Sequence, residues 1–133
     1  MADTTAFELV SPERLLLAQD VEMVIVPGAE GNIGVLPRHA PMISTVRPGV
    51  IEIFETRSSE ANRIFVAGGF AEVTPDRCTV LAEEAVPVTD LNRADVEQTI
   101  RDLREDLEDT KEGRDRTLVE GKLAVAQAKL AAA

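Results

Sequence analysis

Apolar and polar positions follow two different periods along this chain, and the change from one to the other falls once. In Val21-Glu22-Met23-Val24-Ile25-Val26, side chains at 21, 23 and 25 point one way and those at 22, 24 and 26 the other, as a pleated strand requires. Short runs rich in β-branched residues also occupy residues 7–10, 15–18, 50–55, 64–67, 70–74 and 78–83, each bounded by Gly, Pro, Ser or Asp. Pro75-Asp76, between Val73 and Cys78, reads as a tight hairpin turn. No helical stretch of ten residues fits between these runs. The strands are therefore expected to pair mostly antiparallel and to close as a β-sandwich or flattened barrel.

Beyond residue 90 the period becomes helical. Val96, Ile100, Leu103 and Leu107 are spaced 4, 3, 4, which stacks them on one stripe, and Val119, Leu123, Ala126 and Leu130 repeat that spacing. Between the stripes lies Thr110-Lys111-Glu112-Gly113-Arg114, whose glycine can take the left-handed turn that ends a helix. Asp90 is placed to cap the first helix, and Thr117 with Glu120 has the spacing of a capping box for the second. An antiparallel two-helix hairpin is predicted. Helices of about 15 to 20 residues are marginal alone in water, so this one should lean on a second surface.

Composition marks the same boundary. All seven prolines and all four phenylalanines precede residue 88, and the first part has no lysine. Residues 1–89 carry 13 acids against 6 arginines, whereas residues 90–133 carry 11 acids against 8 bases. The division reads as 1–87, a sandwich, and 88–133, a helical tail. A net charge of -10 repels nucleic acid over most of the surface, so no nucleic-acid partner is expected. No apolar run reaches the roughly 18 to 20 residues of a membrane span, so no direct membrane insertion is expected either.

The residues that carry chemistry are few. Cys78 is the only cysteine and His39 the only histidine, so no metal-ligand set can be assembled from them, and no metal site is expected. No Gly-x-Ser-x-Gly elbow exposes a serine nucleophile. No catalytic residue is assigned; His39 reads as a hydrogen-bonded loop residue and Cys78 as a small buried apolar group. Three glycines at intervals of three, Gly28, Gly31 and Gly34, are not followed by a helix that could hold a phosphate. They read as a loop that reverses the backbone direction and exposes it for another protein to approach.

Read continuously, Val26-Pro27-Gly28-Ala29-Glu30-Gly31-Asn32-Ile33-Gly34-Val35-Leu36-Pro37-Arg38-His39-Ala40-Pro41-Met42, then Arg47-Pro48-Gly49-Val50, resembles the epsilon subunit family of rotary F-type ATP synthases. The family pattern joins Gly-x-x-Gly-x-x-Gly, an aliphatic pair, Pro-x-His-Ala-Pro and a later Pro-Gly in this order and spacing. Val66-Ala67-Gly68-Gly69-Phe70-Ala71-Glu72-Val73 and Val80-Leu81-Ala82-Glu83 resemble its following strands, so the likeness spans essentially the whole sequence. The resemblance implies a sandwich of about ten antiparallel strands followed by a helical hairpin.

It also implies a role without chemistry: a central-stalk subunit of the proton-translocating synthase that couples c-ring rotation to the gamma subunit and the catalytic head. By position, Glu30, Gly31, Asn32 and Ile33 would form the c-ring-facing loop, and Arg38, His39, Ala40, Pro41 and Met42 would lie at the gamma contact. The tail would reach the catalytic alpha and beta subunits and regulate ATP hydrolysis, and the location implied is peripheral, at the cytoplasmic face of the inner membrane. Asp90-Leu91-Asn92-Arg93-Ala94 partly resembles the family's nucleotide-sensing segment, with Thr89 where an Ile or Leu stands in relatives. Two readings of Asp90 and Arg93 stay open, a regulatory ATP site and a plain helix cap beside a solvated arginine; no other cofactor is implied. The alternative class is a ligand-binding or adaptor sandwich whose helical tail dimerises.

Overall fold

The computed structural model describes residues 3–110 and 113–133, with Arg114 described by its backbone alone. Eight strands come first: β1 (Thr5–Val10), β2 (Leu15–Val21), β3 (Met23–Gly28), β4 (Gly31–Val35), β5 (Met42–Thr45), β6 (Gly49–Phe54), β7 (Asn62–Val73) and β8 (Arg77–Pro87). A single 3-10 turn (Val88–Asp90) leads into α1 (Arg93–Asp109) and α2 (Arg114–Ala132). The protein divides into two compact units, Met1–Pro87 and Val88–Ala133.

In the first unit, strands neighbour one another in the order β2-β1-β8-β7-β6-β3-β4, with β5 added along β7. β1 alternates along its whole length, sending Thr5, Phe7 and Leu9 inward. The core they enter is aliphatic: Val21, Val24, Val26, Val35, Ile51, Ile53, Val66, Val73 and Val80 surround Phe7 and Leu9, all essentially without solvent contact. One buried polar atom in this core, the Thr5 hydroxyl, has no hydrogen-bond partner. Removal of so much apolar area from water is the main stabilising term of such a sandwich.

The strand count is eight among the described residues, against about ten implied by the family likeness. The runs at 64–67 and 70–74 belong to one strand, β7, because Gly68 and Gly69 carry the backbone through φ values of 73 and 105 without breaking it. Ile64 and Val66 face the core, and so do Ala71 and Val73. Plain alternation forbids that odd offset, and the two glycines absorb it. On the edge away from β8, β7 pairs with β6 before this point and with β5 after it, so one edge of a long strand serves two neighbours. The run at 21–26, by contrast, is divided between β2 and β3 at Glu22.

Not every neighbour is antiparallel. β1 lies parallel to β8, Phe7 opposite Cys78 and Leu9 opposite Val80. A parallel pair needs a long connection, and the intervening strands provide it, so no crossover helix is required.

In the second unit, Val96, Ile100 and Ala126 are buried, and Leu103, Leu123 and Leu130 pack against them. Leu107 and Val119, the stripe positions next to the turn, are only half-buried and lie outside this cluster. The helix ends differ from expectation. Asn92, not Asp90, caps α1: its Oδ1 accepts from the Asp95 N–H at 3.1 Å, while Asp90 closes the 3-10 turn. Thr110 ends α1 in an extended conformation, and Gly113, with φ 117, begins α2 instead of ending α1. Lys111 and Glu112 of that polar stretch lie outside the described residues. Thr117 and Glu120 form no capping box, since α2 has begun by Arg114; the Thr117 hydroxyl donates to the Gly113 carbonyl and Glu120 pairs with Arg116.

Candidate functional site

The glycine-rich segment folds as a hairpin tip. Gly28 ends β3, Gly31 begins β4, and only Ala29 and Glu30 span the turn, so the anticipated loop contracts to two exposed residues. Gly31 takes φ 148, and a Cβ on Gly28 would come within 2.8 Å of the Gly31 carbonyl oxygen. Of the predicted c-ring-facing residues, Glu30 is therefore a turn residue, while Gly31, Asn32 and Ile33 are strand residues. Their backbone is held in register by Val26 and Pro27 across the ladder.

Arg47 pins this tip. Its Nη2 donates to Asn32 Oδ1 at 2.6 Å, its Nη1 donates to the Gly28 carbonyl, and its backbone N–H donates to the Pro27 carbonyl at 2.9 Å. The Ala29 N–H adds a bond to the Thr45 carbonyl at 2.9 Å. The turn is thus bound to the end of β5 and to Arg47 just beyond it. Residues 29–33 and 42–45 line an open groove of about 460 Å³ between β4 and β5, beside which Ile43 is 74 % exposed. Sequence reasoning missed Arg47. It stood inside the recognised Arg47-Pro48-Gly49 motif, but nothing in its spacing pointed to Asn32.

The other predicted contact segment occupies the opposite end of β5. Arg38 adopts a left-handed φ of 65, and its N–H donates to the Pro75 carbonyl at 2.8 Å, anchoring the loop to the β7–β8 turn. Its guanidinium pairs with the Asp3 carboxylate in an exposed contact, worth little by itself. His39 shares a 2.6 Å hydrogen bond between its Nδ1 and the Ala40 carbonyl oxygen, matching the loop reading. Ala40 and Pro41 are exposed, and Met42 opens β5 with its side chain against the core. The fold brings Met42 to the same groove as residues 30–33. It leaves Arg38 through Pro41 about a strand's length from the β3–β4 turn, roughly 13 Å for the four residues of β5.

The two residues of the tail's candidate nucleotide segment belong to different elements, Asp90 to the 3-10 turn and Arg93 to α1. Arg93 begins α1 and pairs through Nε with Glu97 at 3.3 Å. It lines a cleft of about 480 Å³ with Ile100, Arg101, Arg104, Gln127 and Leu130; Asp90 is not among the lining residues. Arg101 is engaged by Gln98 at 2.7 Å. α2 presents Gln127, Leu130 and Ala131 to this cleft and no cation, and Arg116 lies at the turn, bonded to the Leu107 carbonyl. Among the described residues that line the cleft, the guanidinium groups come from α1 alone. Cys78 is buried, and desolvation pushes its thiol up to about 12, as befits a packing group.

Comparison with known proteins turns this architecture into an assignment. Residues 4–88 match the family described as "ATP synthase, Delta/Epsilon chain, beta-sandwich domain", which sets the class: a delta/epsilon-type subunit of an ATP synthase. Residues 92–133 match the family of the C-terminal domain of the ATP synthase epsilon subunit. The ATP synthase epsilon chain of Rhodospirillum centenum is 56% identical over 98% of this sequence and 92% of its own length, and that of Rhodospirillum rubrum 50% identical over 99% and 98%. A protein in the Euglena gracilis mitochondrial ATP synthase assembly of OSCP, F1 and c-ring shares the fold at a TM-score of 0.85 and 21% identity, covering 97% of this chain and 81% of that one. The protein belongs to the ATP synthase epsilon chain family. It is a non-catalytic, central-stalk subunit of an F-type ATP synthase.

Proposed function

We propose that this subunit transmits torque between a membrane c-ring and the gamma subunit through its sandwich unit, and that its helical unit, 88–133, acts on the catalytic alpha and beta subunits. A contact that transmits force must hold its shape under load, so it should be built on strands and tied by bonds that do not depend on its own side chains. The β3–β4 tip meets that requirement through its backbone: Arg47 holds the Gly28 and Pro27 carbonyls and the Thr45 carbonyl holds the Ala29 N–H, while Glu30 and the β4 edge stay exposed. This pinned tip is the observation that carries the reading, with residues 30–33 toward the c-ring and residues 38–42 toward gamma.

No helix among the described residues is long and apolar enough to cross a membrane. The acidic surface also disfavours contact with an anionic leaflet. The subunit therefore reaches the cytoplasmic face of the inner membrane through the polar loops of the ring. The test is assembly. Mixed with purified gamma at micromolar concentration, the protein elutes as a 1:1 complex, and Glu30→Cys forms a disulfide with a cysteine placed in the c-ring loop. Separate elution at that concentration overturns the gamma contact. For the tail, removal of residues 88–133 speeds ATP hydrolysis by the assembled enzyme; an unchanged rate takes the regulatory part away and leaves the coupling role.

A further inference from the structure

One terminal strand of the sandwich unit carries none of the usual guards of a sheet edge. β2 and β4 stand at the two ends of the strand order, so each offers a row of backbone groups with no ladder partner among the described residues. β2 is guarded: it carries Asp20, and its register against β1 shifts at Leu9 and Val10. β4, Gly31–Val35, holds no charge and no proline, and its register against β3 is unbroken. The two-residue turn closes on Gly28 opposite Gly31, a hydrogen-bonded pair in such hairpins, so alternation along the ladder turns the N–H and C=O of Asn32 and Gly34 outward. Pro27, which has no N–H to give, stands opposite Asn32 as that alternation requires. Asn32 and Gly34 are both exposed, and among the described residues no backbone bond outside the β3–β4 ladder reaches either one.

Gly34 is the second observation. Its φ is not left-handed and a Cβ there would meet nothing within 4 Å, so neither conformation nor packing inside this chain asks for glycine. Glycine weakens a strand and often marks the place where another backbone comes close. Its neighbour across the ladder is Ile25, half-buried on the outer face between the buried Val24 and Val26. Leu36, the next residue beyond β4, is also exposed. We infer that β4 is completed by strand addition: an extended segment of gamma pairs with the backbone of Asn32 and Gly34 and lays an apolar side chain over Gly34 onto Ile25. Position selects this occupant. β4 runs through Leu36 and Pro37 directly into residues 38–42, so a strand added here continues the gamma contact, whereas the polar loops of the ring suit the charged turn at Glu30. The inference rests on the gamma contact proposed above and supplies its mode of binding.

The experiment is residue-resolved hydrogen exchange by NMR on the isotope-labelled full-length protein, alone and in complex with purified, unlabelled gamma. The Asn32 and Gly34 amides exchange freely in the protein alone and slow by about a hundredfold in the complex, while the amides of β2 keep their rates. A complex in which both amides still exchange freely overturns the inference and leaves the gamma contact standing. Failure to form any complex overturns both. Gly34→Lys sets a charge on the open edge, and gamma binding weakens by about tenfold or more while the melting curve of the isolated protein stays nearly unmoved. Asp20→Lys, the same charge on the opposite edge, leaves the affinity as it was. Equal affinity of Gly34→Lys and the parent protein overturns the inference, as does equal weakening by Asp20→Lys. So does self-association of the parent protein that Gly34→Lys abolishes, since a second copy would then be the occupant.

Discussion

Arg47 and Asn32 meet side chain to side chain, Nη2 to Oδ1 at 2.6 Å, across 15 residues of sequence. The same guanidinium holds the Gly28 carbonyl. One residue thereby ties both strands of the β3–β4 tip. Arg47→Ala is expected to lower stability by about 1 to 2 kcal/mol, since it orphans a part-buried carbonyl. It should also accelerate hydrogen exchange at the Ala29 amide more than at amides of β8. Equal acceleration at both would show that Arg47 supports the whole sandwich and not the tip.

Gly69 lies against Leu81. A Cβ at position 69 would fall 1.7 Å from the Leu81 carbonyl oxygen, and the φ of 105 is hostile to any other residue. Gly69→Ala should therefore cost about 3 kcal/mol or more in urea unfolding. Gly34→Ala, where the added carbon meets nothing within 4 Å, should stay within about 1 kcal/mol of the parent protein.

The two candidate caps of α1 are separable by mutation. Asn92→Ala removes the acceptor for the Asp95 N–H and should destabilise the helical unit by about 1 kcal/mol. Asp90→Ala, outside the helix, should leave its melting curve nearly unmoved. The reverse ranking would restore Asp90 as the cap.

Titration calorimetry of the full-length protein with Mg-ATP should give no saturable heat in the millimolar range. The cleft beside Arg93 takes its cations from one helix, and Arg93 and Arg101 are already paired within α1. Saturable heat that disappears in Arg93→Ala would assign the nucleotide to this cleft.

Cys78 makes alkaline stability a readout of the core. Burial raises its thiol from 9.0 to about 12 in the folded protein. The unfolded form therefore gives up this proton first as pH rises, and the group's contribution is complete below about 9 and is lost between about 9 and 12. Over that window stability should fall by about 1.4 kcal/mol per pH unit on this account. The slope of Cys78→Ala should be shallower by that amount; parallel slopes would show that the thiol titrates normally in the folded state.

Local pattern sufficed for the elements whose side chains report their own environment. β1, β6 and β8 alternate, and α1 and α2 carry 4, 3, 4 stripes, because each sends one face to a core whichever neighbour supplies it. The Gly and His-Ala-Pro motifs likewise marked the segments that form the candidate contacts. The same logic could not reveal β4 and β5, which hold few apolar residues and become strands by pairing with β3 and β7.

By itself, then, the sequence determined that a β unit precedes a helical one, which residues are apolar enough to be buried, and which family's motifs are present, since these follow from composition and period. Tertiary structure decided the parallel seating of β1 on β8, the continuity of β7 through Gly68 and Gly69, the hold of Arg47 on Asn32, and the reach of Arg116 to the end of α1. Each of these joins groups far apart in the sequence or depends on a backbone conformation, and whether such groups meet is settled only by the geometry of the folded whole.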